Sequence, residues 1–441
     1  MNIVQLTPGA GAMYCGNCLR DNALVAELRR QGHDVTMVPL YLPLTLDEEN
    51  QSAGTPVFFG GISVYLDQKS GLFRRAPNFL RRLLASDGML RWAAGRAAKT
   101  RASDTGDLML SMLRGEQGNQ AAELDELLSW LKRHAQPDVV CISNALLLGL
   151  ARRLKAELQT KVVCTLQGED SFLDALPESH RTEAWRLLSE RAADVDLFIA
   201  PSRYFAGLMT QRLGLKPERV KVIHNGLNLD GYTGPKETQR ESRLTQNAAP
   251  VLGYLARMCP EKGLDTLVEA FIHVKRRERV PRLKLHIAGS CGPGDEAFVK
   301  SQRQRLAEAG YIGETAFSPN LSRAEKIGLL ESLSVFSVPA RYGEAYGLYV
   351  IEAMAAGVPV VQPRTASFPE LIEATGGGVL CEPGDAKALA DQIESLLLEP
   401  ERARALGVVG RKAVFERFSI EAMTDDVVRA YAGLVISAPQ T

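Results

Sequence analysis

Short apolar runs recur along the 441-residue chain at residues 3–6, 35–38, 139–142, 162–166, 197–200 and 220–223, with amphipathic stretches of helical length between them. A second series follows at 251–255, 283–288, 335–339, 358–361 and 378–381. Continuous apolar runs of this length are what strands covered on both faces need, and strands alternating with helices predict parallel sheets. Between the two series, residues 231–247 are polar and contain Gly234-Pro235 and a mixed charge run, the composition of a linker. The pattern therefore predicts two doubly wound α/β domains, with ligands received at the carboxyl ends of the strands.

The most informative stretch lies in the second series. Glu344-Ala-Tyr-Gly-Leu-Tyr-Val-Ile-Glu352 sets two carboxylates eight positions apart around a glycine that opens a short helix closed by Gly357. A carboxylate among Val350, Ile351, Ala353 and Met354 needs a partner, and a pair of ligand hydroxyls supplies two hydrogen bonds. The free N–H groups of Gly347, Leu348 and Tyr349 at the helix start favour an anion, and the glycine allows close approach.

A second cluster, Arg257-Met-Cys-Pro-Glu-Lys262-Gly263, also follows a strand and leads into a helix over 264–276. Two cations there suit a negatively charged ligand such as a phosphate. The first series opens with Pro8-Gly9-Ala-Gly11-Ala-Met-Tyr-Cys15-Gly16-Asn-Cys18, a Gly-rich loop ahead of a helix over 19–31. It lacks the third glycine of a dinucleotide fingerprint, and the next strand ends in Val38-Pro-Leu40 without a ribose-binding acid, which argues against NAD. Cys15 and Cys18 have the spacing of a redox pair, but two small residues in a tight turn are the plainer reading.

The stretch from Glu344 resembles the E-x7-E motif of the retaining GT-B glycosyltransferases of family 4, which continues E-A-M-A-x-G-x-P-V-V, and Arg257, Lys262 and Gly263 resemble the same family's R-x-x-x-x-K-G pattern. Ala200-Pro-Ser202, Asn225-Gly226, Ala288-Gly-Ser290 and Phe368-Pro-Glu370 extend the similarity over nearly the whole chain. The resemblance implies a GT-B fold: two Rossmann-like domains facing a cleft, with a C-terminal helix crossing back to the first. It divides the chain into an acceptor-side domain 1–232 with a basic helical insertion at about 67–135, a linker 233–248, a donor domain 249–415 and a final helical segment 416–441. It implies a hexosyltransferase-type enzyme moving a sugar from a nucleotide diphosphate sugar to a hydroxyl acceptor on a glycan, lipid or small metabolite. In such a site Glu352 binds ribose hydroxyls, Glu344 contacts the transferred sugar, and the amides of Gly347, Leu348 and Tyr349 contact sugar and phosphate. Arg257 and Lys262 hold the diphosphate, and Gly11 and Gly16 belong to a loop facing donor and acceptor.

The chain departs from that pattern in three places. Ala345 and Tyr349 stand where the family has Gly and Pro, and Ala366-Ser367 replace a Gly pair, so Glu370 is left out of the site. Gln167 replaces a histidine that the family uses near the reacting sugar; glutamine cannot act as a base, but in a same-face attack the leaving phosphate can take the acceptor proton and Gln167 need only position a hydroxyl, with Asp170 the nearby residue able to contact the acceptor. Asp170 equally suits a cap for the following helix, and Asn225-Gly226 suits a turn. Two alternatives remain: a nucleotide-sugar-binding regulator without transfer, and a nucleotide-sugar epimerase on the same fold.

Composition narrows the setting. Lys plus Arg equals Asp plus Glu at 52 each, which leaves no overall electrostatic footprint for nucleic acid. Seven scattered cysteines without metal-ligand spacing suit a reducing, cytoplasmic compartment and predict no metal site, and the resemblance implies no cofactor beside the nucleotide-sugar donor. The opening residues lack a basic and apolar leader, and no run of about eighteen apolar residues is present. One stretch breaks the charge balance. From Lys69 to Arg101 nine cations, interleaved with Phe73, Phe79 and Trp92, face a single acid, Asp87, a composition suited to an anionic membrane or a phosphorylated acceptor as well as to a solvated helix face.

Overall fold

A computed structural model describes residues 1–9, 16–44, 46, 48–59, 102–232 and 249–436, with side chains from 106 onward in the helix that starts at 102. Gly11, Cys15, the basic stretch 69–101 and the linker 233–248 lie outside the described residues. The chain forms two compact units, Met1–His224 with Met423–Thr441, and Asn225–Ala422. The helix Ile420–Ile436 thus begins in the second unit and continues in the first.

The first unit holds a parallel six-stranded sheet: β1 Asn2–Thr7, β2 Asp34–Pro39, β3 Val139–Ile142, β4 Lys161–Thr165, β5 Leu197–Ala200 and β6 Val220–Val222, in the order β2-β1-β3-β4-β5-β6. Every described neighbour pair is parallel, with Ile3 opposite both Val35 and Val139. Central strands are buried end to end, which is why they read as unbroken apolar runs. Their carboxyl ends are tied by polar groups. The buried Asp21, on the helix Gly16–Arg30, accepts from Thr7 Oγ1 at 2.9 Å, from Ser143 Oγ and from Arg20 Nη1 at 2.8 Å. Thr165 Oγ1 donates to Ser143 O at 2.6 Å.

The second unit repeats the plan with β7 Val251–Leu255, β8 Lys284–Gly289, β9 Thr315–Pro319, β10 Val335–Phe336, β11 Val360–Pro363 and β12 Gly378–Cys381, ordered β12-β11-β10-β7-β8-β9. The chain runs outward from β7 to β9, then returns to β10 on the other side of β7. That reversal puts the topological switch point between β7 and β10, where loops diverge and leave room for a ligand. One core built on Leu252, Tyr254, Phe271, Ile287, Phe336, Val350 and Val360 supports this sheet.

Three expectations are corrected. The polar, half-exposed β9 is a sixth strand that the apolar pattern omitted. The strand expected at 358–361 is shifted to Val360–Pro363, because Val358 and Pro359 are buried before the ladder starts. The first helix starts at Gly16 rather than at 19, so Gly16 is helical and exposed, and a Cβ added there meets nothing within 4 Å. Among the described residues ahead of that helix, Gly9 is a sterically required glycine: its φ is +74°, and a Cβ would fall 1.8 Å from Leu42 O.

Candidate functional site

Three loops leave the carboxyl ends of β7, β8 and β10 and are stitched together by backbone contacts. Ala256 N donates to Ala288 O at 3.2 Å, Met258 N to Ser290 O at 2.9 Å and Arg341 N to Glu261 O at 2.9 Å. Two glycines make this possible. A Cβ on Gly263 (φ +70°) would sit 1.9 Å from Pro339 O, and one on Gly289 (φ +130°) would sit 1.9 Å from Ala256 O.

On this platform the two sequence clusters meet. Lys262 Nζ donates to Glu344 Oε2 at 2.5 Å, and the same oxygen accepts from Tyr349 OH at 2.7 Å and Tyr342 OH at 3.3 Å. The ammonium also lies 5.0 Å from the Tyr342 ring centre and 5.2 Å from that of Tyr349, so aromatic faces flank it. Burial disfavours the Lys262 ammonium, but the Glu344 carboxylate prevails and holds its pKa above the ordinary lysine value. Burial pushes the Tyr342 hydroxyl up to about 12, so it stays a donor at neutral pH.

Arg257 forms a two-pronged contact with Asp295, Nε to Oδ2 and Nη2 to Oδ1, both 2.9 Å. The bond to Asp295 raises the arginine's pKa further. Glu352, on the helix Leu348–Ala355, accepts from Lys326 Nζ at 2.7 Å. Gly347 (φ +88°) is the N-cap of that helix without a side-chain cap, so the helix start offers backbone N–H groups rather than a side chain. Leu348 and Tyr349 are its first two residues; Tyr349 is buried between Phe336 and Phe368. The result is three cations, each set against a carboxylate, around a glycine-opened helix. Such a set can exchange its internal ion pairs for an anion and several hydroxyls.

The sequence did not single out Lys326, Asp295 or Tyr342. Lys326 sits in a capped amphipathic helix, Arg323–Ser332, where a lysine reads as solvated. Tyr346, inside the acid motif, is buried and its hydroxyl donates to Asn225 O at 2.8 Å.

In the first unit, Gln167 and Gly168 (φ +96°) lead from β4 into the short helix Glu169–Asp174. Glu169 is structural: its carboxylate accepts from Ala145 N at 2.8 Å and Gln167 N at 2.9 Å. Asp170 is 8% exposed and its Oδ1 is buried without a hydrogen-bond partner. Burial raises its pKa above the usual carboxylate range. Cys18 is buried.

Two parallel six-stranded sheets with a site at the switch point of the second define the GT-B class of glycosyltransferase folds. The family described as Glycosyl transferases group 1 matches residues 235–413, and that described as Glycosyltransferase Family 4 matches 106–230. The chain belongs to this family of glycosyltransferases. It is 29% identical over 242 residues to the D-inositol 3-phosphate glycosyltransferase of Segniliparus rotundus, a match covering 54% of this chain and 52% of that relative. It thus spans about half the length of that relative. It is 28% identical over 275 residues to a GDP-mannose-dependent alpha-(1-6)-phosphatidylinositol monomannoside mannosyltransferase of Mycolicibacterium smegmatis, covering 60% of this chain and 68% of the other. The crystal structure of Anabaena HepE with UDP and glucose shares the fold, with a TM-score of 0.70 at 18% identity over 98% of this chain and 99% of the other.

Proposed function

We propose that this chain is a retaining, metal-independent glycosyltransferase that moves a hexose from a nucleoside diphosphate sugar to a hydroxyl acceptor. The observation that carries this reading is the 2.5 Å contact between Lys262 and Glu344, which sets a phosphate-binding cation beside an acid suited to sugar hydroxyls. Glu352 takes the ribose hydroxyls, and the amides of Gly347, Leu348 and Tyr349 take sugar and phosphate oxygens. As the bond from sugar C1 to the diphosphate oxygen breaks, Arg257 and Lys262 stabilise the charge that develops. The acceptor oxygen bonds to C1 on the same face, and its proton passes to the departing phosphate, so no side-chain base is needed where Gln167 stands. Asp170, with an unpartnered buried oxygen, is assigned to an acceptor hydroxyl. Gly11 and Gly16 keep only the role that the family resemblance implies for them, with Gly16 at the start of the first helix rather than in the loop before it.

The donor base is either uracil or guanine in this reading, from the UDP bound by the Anabaena protein and the GDP-mannose used by the mycobacterial relative. Cytoplasmic location rests on the cysteine pattern of the sequence. Among the described residues no helix is long and apolar enough to cross a membrane. Peripheral association with an anionic membrane rests on the sequence of residues 69–101 alone, and co-sedimentation with anionic and neutral vesicles tests it.

The test of the reaction is incubation with UDP-glucose or GDP-mannose and a panel of inositol phosphate, lipid and glycan acceptors. Release of the diphosphate with an α-linked product by NMR is expected. A β-linked product, or turnover lost on chelation and restored by a divalent ion, contradicts it.

A further inference from the structure

Asp295 occupies the N-cap position of the helix Glu296–Glu308, yet its side chain makes no capping bond. Aspartate is favoured at an N-cap because its oxygens accept from the first-turn N–H groups. Here both oxygens face Arg257 instead, at 2.9 Å each, and Oδ2 also accepts from Gly292 N at 3.3 Å. The two partners differ in access: the Asp295 side chain is 7% exposed, that of Arg257 60%.

A bidentate contact through Nε and Nη2 uses one edge of the guanidinium and leaves Nη1 and the outer N–H of Nη2 facing away from Asp295. The base of the arginine is fixed as well. Tyr254 OH donates to Arg257 O at 2.8 Å, and Met258 N donates to Ser290 O at 2.9 Å. Asp295 itself is held in a turn by its own N–H, which donates to Gly292 O at 2.8 Å. A long side chain that would otherwise sample many rotamers is therefore anchored at both ends, with its free edge presented to solvent.

We propose that Asp295 is the positioning residue that aims Arg257 at the donor's diphosphate, an inference that rests on the reading of this site as one for nucleoside diphosphate sugars. Held in place before the donor arrives, Arg257 loses little freedom on binding, and its aligned edge meets the phosphate oxygens. Asp295 does not touch the donor. Its removal therefore weakens recognition of the diphosphate and leaves recognition of the nucleoside, at Glu352, intact.

Calorimetric titration of the full chain with UDP, GDP and ADP, and with their monophosphates, separates the two. For the nucleotide that binds, Asp295→Ala is expected to weaken the diphosphate on the order of tenfold and the monophosphate by less than about twofold. In an Arg257→Ala background the same change is expected to have no further effect on diphosphate affinity. Equal weakening of both nucleotides, or an additional loss in the Arg257→Ala background, overturns the inference while the donor-site reading stands. If Asp295→Ala does not fold, Asp295→Asn, which keeps the shape and one acceptor, is read the same way. Failure of the wild type to bind any of the three diphosphates sinks the donor-site reading and this inference with it.

Discussion

Lys262 and Glu344, 82 positions apart in sequence, meet at 2.5 Å at the switch point of the second sheet, with Tyr349 on the same carboxylate oxygen at 2.7 Å. In the proposed reaction the pair links the cation that meets the leaving group to the acid that meets the sugar. Lys262→Met removes the cation that balances developing phosphate charge, and Glu344→Gln removes the carboxylate that fixes both Lys262 and the sugar. Each is expected to lower kcat/KM by about 100-fold or more, and the double variant by much less than the product of the two. Independent, multiplicative losses in steady-state kinetics would show that the pair does not act as a unit.

Glu352 and Lys326, 2.7 Å apart, make a second prediction. If Glu352 holds ribose hydroxyls, Glu352→Ala abolishes the preference for a ribonucleotide over its 2′,3′-dideoxy counterpart, a difference on the order of tenfold in Kd. Lys326→Met should weaken the ribonucleotide while leaving the dideoxy compound unaffected. A preference that survives Glu352→Ala removes that residue from the ribose subsite.

The buried Asp170 predicts a pH effect with a definite sign. Its folded pKa is raised by burial, so the folded state binds the proton more tightly than the unfolded chain does. Stability therefore falls as pH rises from the ordinary carboxylate value through the raised folded value, and the loss persists at neutral pH. Asp170→Asn escapes it and should gain up to about 1 kcal/mol at pH 7, with no gain at pH 3. The same variant should raise KM for the acceptor and leave donor affinity unchanged. Urea unfolding at the two pH values and acceptor kinetics check both halves, and unchanged transfer would remove Asp170 from the acceptor site.

On the first helix, Asp21 and Arg20 are paired at 2.8 Å with both side chains almost fully buried. Breaking such a pair leaves a buried charge without compensation. Asp21→Ala should cost about 3–5 kcal/mol in urea unfolding, whereas joint replacement by Arg20→Met and Asp21→Leu should recover much of the loss. A loss below about 1 kcal/mol for Asp21→Ala would mean that solvent reaches Arg20.

How far the sequence carried depended on whether a feature is local. Strands buried on both faces, such as Val139–Ile142 and Leu197–Ala200, show as apolar runs because no position faces water. The edge strand Thr315–Pro319 has no such run, since most of its side chains are half-exposed. Gly16 and Asn17 carry no apolar periodicity, which hid the true start of the first helix. In the site, Arg257 with Lys262, and Glu344 with Glu352, are legible because each pair lies within one short motif. Their partners Asp295 and Lys326 are supplied by loops and helices 38 and 26 positions away, and only the folded chain reveals them. Tyr346 lies inside the acid motif, but packing turns its hydroxyl to Asn225 O.

The most direct test is the thermal stability of the wild type, Glu352→Ala and Arg257→Ala across UDP, GDP, ADP and the corresponding nucleotide sugars. A rise in Tm of the wild type with one nucleotide and its sugar, absent from both variants, is the predicted result. No shift with any compound, or a shift that both variants retain, would contradict a nucleoside diphosphate sugar site at the switch point of the second sheet.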